Sequence, residues 1–180
     1  MRKITLVAAM AKDRLIGAKG KIPWAGALPR DMEHFRAITM GHALIMGRTT
    51  WDSIPERFRP LPGRINIVMS RDTDFAAKGA LIARDIDEAL ALTEGKDVMV
   101  IGGAQIYALF LPIATHLELT IVGGKFAGDA YFPPFEGADW QTTEEVAHPA
   151  KGRDAFPMTF LSLVRKEAPE SATASETTRL

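Results

Sequence analysis

The sequence predicts one α/β domain: a central, mostly parallel and twisted sheet of about eight strands, with an antiparallel C-terminal edge and about four flanking helices. Three observations support this prediction. Short apolar segments alternate with helical segments in the first part of the chain, as in a parallel sheet covered on both faces. The last part contains apolar segments without helices between them. The 180 residues show no internal repeat and suffice for one hydrophobic core.

The predicted strands of the alternating part are short apolar runs, which are typical of buried strands. They lie at residues 4–9, 43–46, 65–69, 81–83 and 98–101. Residues 10–24 follow the first strand as a polar loop that contains Gly17, Gly20 and Pro23. A second loop, at residues 55–63, contains three prolines.

The predicted helices lie between these strands. They run from residue 29 to Gly41, within residues 47–54, after Asp85 and over residues 104–111. Pro29 is tolerated in a first helical turn because its missing N–H would be unpaired there, and Gly41 is a typical residue after a helix end. Asp85 and Glu88 have the spacing of a capping box.

The C-terminal part contains strands but no helical pattern. Strands are predicted at residues 117–122, 130–132, 140–146 and 158–164. They should therefore form the antiparallel edge. From Ala168 onward the sequence lacks a core-forming pattern, so we expect a folded domain over residues 1–166 and a disordered tail over residues 167–180.

Composition excludes several classes of function. The 22 basic and 22 acidic residues cancel, so no global field favours nucleic acid or an acidic membrane, and no apolar run is long enough to span a bilayer. The absence of cysteine excludes disulfides, thiolate catalysis and cysteine metal sites, and it is compatible with the cytoplasm. The four histidines have no metal-binding spacing, so we expect no metal.

Asp31 is the first candidate for chemistry. It lies in the first turn of a helix, on or beside the face that carries Phe35 and Ile38. One interpretation is that it only complements the helix dipole. The other is a partly buried acid that faces a pocket, where desolvation would raise its pKa.

Junctions between strands and helices supply the second set of candidates. Gly102-Gly103 follows an apolar strand and precedes a helix, which suits close approach of a phosphate ligand, although many turns use two glycines without one. Arg48 with two threonines, and Ser70-Arg71, also follow apolar strands. Each arginine alone could be an ordinary surface residue, but their shared position favours an anion site. No Gly-x-Gly-x-x-Gly pattern follows the first strand, which argues against the usual dinucleotide-binding fold.

Trp24 and Arg64 each leave two interpretations open. Trp24 belongs either to a functional site or to the core. Arg64, after Leu61-Pro62-Gly63, is either a loop cation or a fork that binds a carboxylate.

In this order, these segments resemble bacterial dihydrofolate reductases from about Ile4 to Lys166. The matching segments are Ile16-Gly17, Ile22-Pro23-Trp24, residues 28–32, Phe35, residues 45–51, residues 61–64, residues 100–103, Tyr107, Gly128-Asp129 and Phe132-Pro133. One such motif is modest evidence, whereas the ordered set is highly specific. The resemblance implies a dihydrofolate reductase-like catalytic domain over residues 1–166.

The resemblance implies NADPH-dependent reduction of 7,8-dihydrofolate to tetrahydrofolate, which supports one-carbon metabolism. Hydride would pass from the nicotinamide C4 to the pterin C6, with protonation at N5. Asp31 would hydrogen-bond the 2-amino group and N3 region of the pterin, and Thr120 would link the acid and the pterin, partly through water. With Trp24 they form the implied catalytic set. Arg64 would bind the α-carboxylate of the glutamate tail.

The resemblance also implies the residues around both ligands. The substrate-binding set is Leu6, Val7, Ala8, Met32, Phe35, Ile54, Leu61, Arg64, Ile101 and Tyr107. The cofactor-binding set is Ala9, Ile16, Gly17, Ile22, Gly47, Arg48, Thr49, Thr50, Met69, Ser70, Arg71, Gly102, Gly103, Ala104, Gln105 and Ile106. Arg48 and Arg71 would favour NADPH over NADH through the 2′-phosphate, and Gly102-Gly103 would be a cis pair beside the cofactor. Residues 10–24 would be a mobile lid that Asp129 contacts.

The chain departs from the family pattern in three places before the C-terminal tail, and the tail itself lies outside that pattern. Ala25-Gly26 adds about two residues after Trp24, which puts lid contacts in doubt. Ala104 stands where a third glycine is common, and Gln105 replaces a common basic residue.

The resemblance further implies a cytoplasmic monomer that binds antifolates.

Two other functions remain open at this point. One is a reductase of the same fold that acts on a pyrimidine of riboflavin synthesis, which Asp31, Trp24 and Arg64 argue against. The other is a protein that binds NADPH without catalysis. The substrate that causes loss of NADPH absorbance would distinguish them.

Overall fold

Ten strands and four α-helices follow one another within residues 2–166, the part of the chain that this computed structural model describes. The strands are β1 (Ile4–Ala11), β2 (Leu15–Gly17), β3 (Ala43–Gly47), β4 (Ile65–Met69), β5 (Leu81–Ala83), β6 (Val98–Val100), β7 (His116–Val122), β8 (Ala130–Tyr131), β9 (Trp140–His148) and β10 (Met158–Arg165). The helices are α1 (Pro29–Thr39), α2 (Arg48–Ser53), α3 (Ile86–Ala91) and α4 (Ala104–Phe110). The tail expected at residues 167–180 lies outside the described residues.

Eight of these strands form one sheet in the order β5-β4-β3-β6-β1-β7-β10-β9. All pairs from β5 to β7 are parallel, and β10 pairs antiparallel with β7 and with β9. The predicted fold class is therefore confirmed. None of the helices within residues 2–166 combines the length and the apolar composition that a membrane crossing requires.

Two of the late strands do not belong to the antiparallel edge that we expected. β7 pairs in parallel with β1, because α4 carries the chain back across the sheet before β7 begins. β8 leaves the main sheet and pairs with β2 in a separate two-stranded ribbon. Within residues 2–166, the antiparallel edge consists of β10 and β9.

The core lies on both faces of the sheet because strand side chains alternate. In β3, Ile45 packs on one face in the cluster that includes Phe110 of α4. Its neighbours Leu44 and Met46 pack on the other face, in the cluster that includes Trp51 of α2. Helices α4 and α2 therefore pack on opposite faces of the sheet.

The predicted capping box at α3 is present. The side chain of Asp85 accepts a hydrogen bond from the backbone N–H of Glu88 at 2.8 Å. Glu88 in turn accepts from the backbone N–H of Arg84, also at 2.8 Å. The N–H of Glu88, which the helix leaves unpaired, and the N–H of Arg84, just before the N-cap, are thus satisfied by local side chains.

The polar loop predicted at residues 10–24 is shorter and more structured than expected. β1 continues to Ala11, and β2 lies inside the predicted loop. Asp129 contacts this segment as expected, since its carboxylate accepts from the backbone N–H of Lys19 at 3.1 Å. Its own backbone N–H donates to the carbonyl of Gly17 at 3.0 Å. The segment is therefore docked on the chain that enters β8.

Candidate functional site

A cleft of about 1130 Å³ opens at the carboxyl ends of the parallel strands, between α1, α2, α4 and the segment that contains β2. The predicted site residues that line it are Val7, Ala8, Ala9, Ile16, Gly17, Ile22, Asp31, Met32, Phe35, Gly47, Arg48, Thr49, Thr50, Ile54, Leu61, Arg64, Met69, Ser70, Arg71, Ile101, Gly103, Ala104, Gln105, Ile106, Tyr107 and Thr120. Leu6, Trp24 and Gly102 are buried behind this lining. Residues far apart in the sequence thus converge on one cavity.

Asp31 lies in the first turn of α1 and points into the cleft, partly buried. Desolvation raises the pKa of its carboxyl above the ordinary value, and the negative charge of Asp154 adds to this effect. The Thr120 hydroxyl, by hydrogen bonding, and the His34 ring oppose it. The carboxyl is therefore a desolvated acid of the cleft, and complementing the helix dipole is not its only role.

Thr120 approaches this acid from the sheet. In β7 it lies in register with Ala9 of β1 on one side and with Phe160 of β10 on the other. The residue is buried, and its hydroxyl faces the carboxyl of Asp31 on α1. Parallel pairing of β1 with β7 is what brings Thr120 to the same end of the sheet as the cleft.

Gly102 and Gly103 form the junction between β6 and α4, and the peptide bond between them is cis. Gly102 has a φ of 105°, and an added Cβ would lie 3.0 Å from the ring of Tyr107. The carbonyl of Gly102 accepts from the backbone N–H of Gly47 at 2.8 Å. Close packing of this junction therefore requires glycine at position 102.

Tyr107 connects the junction to β1. Its hydroxyl donates to the carbonyl of Val7 at 2.7 Å within the protein interior. Burial raises the pKa of Tyr107, and the negative charge of Asp31 raises it further. The phenol therefore stays neutral, and its hydrogen bond to Val7 links α4 to β1 beneath the cleft.

The other end of the cleft is cationic. Arg48, Arg71 and Arg84 line it together with Ser70. Arg48 is about half exposed; it lies 2.9 Å from a carboxylate oxygen of Asp72 and stacks 4.8 Å from the ring centroid of a phenylalanine. Three guanidinium groups at strand ends, with hydroxyl groups beside them, provide a charge pattern that suits a phosphate.

Arg64 lies near the acid end of the cleft. Its Nε donates to the carbonyl of Pro62 at 3.0 Å, and one terminal nitrogen donates to the Thr39 hydroxyl at 3.1 Å. Desolvation lowers its pKa, and so does the nearby charge of Arg36, but an arginine remains charged at any ordinary pH. The guanidinium is thus oriented by the protein in the cleft.

Trp24 has its side chain in the core beneath the segment that contains β2. Its ring packs edge-on against Phe126, with centroids 4.9 Å apart. Its indole Nε1 is buried and has no hydrogen-bond partner among the described residues. Such a donor usually binds an ordered water.

The family model for dihydrofolate reductase matches residues 3–165 of this chain. The chain belongs to the dihydrofolate reductase family. Among curated members of the family, it is 43% identical over 164 residues to dihydrofolate reductase type 3 of Salmonella typhimurium, covering 91% of this chain and 98% of that relative. It is 50% identical over 136 residues to dihydrofolate reductase of Mycobacterium tuberculosis, covering 74% and 81% of the two chains.

A solved member of the family has the same fold. A structure of dihydrofolate reductase from Enterococcus faecalis, complexed with NADP(H) and RAB-propyl, superposes with a TM-score of 0.83 at 28% identity. The match covers 92% of this chain and 97% of that chain. The likeness extends over both ends of the cleft, since both lie within the matched domain.

Several charged residues that the sequence patterns did not single out also belong to this cleft. His34, Arg36, Arg84 and Glu118 also line it. Arg84 directly follows a parallel strand, so the signal that singled out the other strand-end arginines could have found it. Glu118 precedes Thr120 by two residues in β7 and therefore lies on the same face. Within residues 2–166, no group of three His, Asp or Glu side chains could hold a metal ion.

Proposed function

We infer that this chain catalyses the NADPH-dependent reduction of 7,8-dihydrofolate to tetrahydrofolate. The observation that carries the inference is one cleft that contains a partly buried acid at one end, the Gly102-Gly103 junction in its wall and a cationic cluster at the other end. Family membership supplies the reaction, and this arrangement supplies groups for both reactants.

Asp31 binds the pterin and favours protonation at N5. A desolvated carboxyl with a raised pKa keeps its proton to higher pH than an exposed one, so a proton is more available near neutral pH. Thr120 orients the carboxyl from the sheet side. Because Asp31 lines the cleft that receives the pterin, the proton reaches the substrate directly or through a bound water.

The rest of the substrate lies along α1 and the loop before β4. Met32, Phe35 and Ile54 enclose the pterin and aminobenzoyl groups, and Leu61 closes the apolar wall. Arg64 binds the α-carboxylate of the glutamate tail, because its bonds to Pro62 and Thr39 fix the fork in the cleft. Val7, Ala8, Ile101 and Tyr107 form the floor, with Leu6 and Trp24 behind the lining.

The residues of the cationic end fit NADPH. The N-termini of α2 and α4 both open on the cleft, and neither Gly47 nor Gly103 at their N-caps offers a side chain that would occupy the unpaired N–H groups. Arg48, Arg71 and Ser70 hold the 2′-phosphate, and Thr49 and Thr50 face the other phosphates. NADPH, when bound, supplies the hydride that reduces the pterin at C6.

The remaining cofactor residues surround the nicotinamide half of the cleft. They are Ala9, Ile16, Gly17, Ile22, Met69, Gly102, Gly103, Ala104, Gln105 and Ile106. Residues 10–24 act as the lid, a segment that closes over the reacting groups. The hydrogen bond from the backbone N–H of Lys19 to Asp129 anchors this lid. Closure excludes water and aligns hydride donor and acceptor.

The test is the oxidation of NADPH, followed by its absorbance, with dihydrofolate as substrate. We expect turnover that methotrexate abolishes. Oxidation with a pyrimidine precursor of riboflavin in place of dihydrofolate would support the other reductase of this fold. Binding of NADPH without turnover of either substrate would leave a non-catalytic binding protein. Either result would contradict the proposed reaction.

We further propose that the protein acts as a cytoplasmic monomer, with the catalytic domain at residues 1–166 and no nucleic acid or membrane partner. The complete cleft lies within one chain, and the charges balance. Sedimentation of the full chain should give one species near 20 kDa, close to the calculated 19.7 kDa. A stable dimer would contradict this.

A further inference from the structure

The loop between β9 and β10 is docked on the N-terminus of α1, the helix that carries Asp31. Asp154 of this loop is 8% exposed. One of its carboxylate oxygens accepts from the backbone N–H of Arg30 at 3.1 Å, and the other accepts from Nε of the same arginine at 3.2 Å. Leu28, at the N-cap of α1, makes no side-chain hydrogen bond to the helix. The cap of this helix therefore comes from a residue 124 positions away from Arg30.

The backbone reinforces this contact. The N–H of Ala155 donates to the carbonyl of Ala27 at 2.9 Å. At the far side of the loop, the N–H of Gly123 donates to the carbonyl of Pro157 at 2.8 Å. The loop is thus tied both to the end of β7 and to the chain that enters α1. Ala25-Gly26, the extra residues before the helix, lead directly into this contact.

We propose that Asp154 is a positioning residue for Asp31: it holds the first turn of α1 in place and sets the charge that the catalytic carboxyl faces. The proposal rests on the proposed function for the part that Asp31 plays in the reaction. Asp154 is not among the residues that line the cleft, so a reactant bound there would not contact it. Its effect therefore passes through Arg30 and the helix.

The groups around Asp31 come from every element that packs on it. His34 lies on α1 and Tyr107 on α4, and both interact electrostatically with Asp31. Arg30 precedes Asp31 in α1, and Glu118 of β7 lines the same cleft. His148 of β9 contacts Arg30 at 3.2 Å. Of the acidic groups, Asp154 is the one whose charge raises the pKa of Asp31. Because it is buried and held in two hydrogen bonds, its charge is poorly screened by solvent.

Asp154→Asn tests the proposal, since it keeps the oxygen that caps Arg30 but removes the charge. The full chain is labelled with carbon-13 at aspartate carboxyls, and the resonance of Asp31 is assigned from its loss in Asp31→Asn. We expect the titration midpoint of Asp31 to move to lower pH in Asp154→Asn. Asp97→Asn is the matched control, because Asp97 also accepts from a backbone N–H, that of Lys3 at 2.9 Å, but lies outside the cleft.

Arg30→Gln keeps Asp154 and removes its cationic partner, so the midpoint of Asp31 should move in the opposite direction. This second variant keeps the test valid if Asp154→Asn does not fold. The two variants should also move the alkaline limb of the pH profile for hydride transfer in opposite directions, with rate changes of about two- to threefold on that limb. A merely structural role would lower the melting temperature but leave both midpoints alone.

Equal midpoints in wild type, Asp154→Asn and Arg30→Gln would overturn the proposal. The titration needs no substrate, so it is separate from the test of the proposed function. If the wild type failed to reduce dihydrofolate while the midpoints moved as expected, the proposed function would fail and the positioning of Asp31 would stand.

Discussion

The two ends of the cleft differ in how far their charged side chains are buried and in how those charges are paired. At the acid end, Asp31 is partly buried, and desolvation raises the pKa of its carboxyl, while Thr120 of β7 lowers it and Asp154 of the loop after β9 raises it further. At the cationic end, Arg48 is half exposed, and Asp52 and Asp72 already pair with it. A charge change is costly where water is excluded and is screened where water is present. We therefore expect substitutions at the acid end to lower turnover strongly. Substitutions at the cationic end should have a weaker effect on the preference for NADPH over NADH.

Asp31→Asn should show the largest effect. It removes the acid but keeps the shape of the side chain, so turnover near neutral pH should fall by about 10² to 10⁴, the usual contribution of a general acid. The dissociation constant of NADPH should change little, because the cofactor lies toward the other end. Steady-state kinetics and a fluorescence titration measure the two. Unchanged turnover would remove Asp31 from the mechanism.

Gly102→Ala tests the close packing of Gly102 on Tyr107, at the junction that lies between the two ends of the cleft. A side chain at a φ of 105° is strained, and its Cβ would press on the Tyr107 ring at 3.0 Å. The free energy of unfolding should fall by about 3 kcal/mol in a urea titration. Gly95→Ala is the control for backbone strain alone. Gly95 has a φ of 77°, and an added Cβ there would have no atom of residues 2–166 within 4 Å, so the substitution should cost about 1 kcal/mol. Equal losses would mean that the Tyr107 contact gives way easily.

Replacing Arg48 and Arg71 together by Ala tests the cationic end. The preference for NADPH over NADH, measured as a ratio of kcat/KM values, should narrow by about tenfold, because charged hydrogen bonds to the 2′-phosphate are lost at a partly solvated site. The kcat with saturating NADPH should change little. Arg2→Ala, outside the cleft, is the control. If the ratio stayed the same, the 2′-phosphate would be held elsewhere, with Arg84 the next candidate.

Features of the fold and of the cleft that depend on local residues could be predicted from the sequence, whereas those that depend on distant segments could not. Apolar periodicity and strand-end residues are local signals, so the sheet, the capping box at Asp85 and the positions of Asp31 and Arg48 followed from them. The cap that Asp154 provides to Arg30 depends on two segments 124 residues apart, and no local pattern encodes it. The pairing of β8 with β2 is likewise non-local. Tertiary contacts of this kind supply the electrostatic setting of the acid.

The smallest expected effect concerns stability at the acid end. Burial raises the pKa of Asp31 in the folded protein above its unfolded value, so the folded state binds the proton more tightly. That advantage is fully present below the unfolded pKa of 3.8 and is lost as pH rises through the folded pKa.

At pH 7 the wild type carries a desolvated charge that Asp31→Asn lacks. The variant should therefore be more stable there, and this gain should vanish near pH 3. Urea titrations at both pH values measure it, with Asp97→Asn expected to show no gain. A variant that is less stable than the wild type at pH 7 would mean that Asp31 contributes net hydrogen bonding to the fold, and that the acid end is arranged for stability as well as for chemistry.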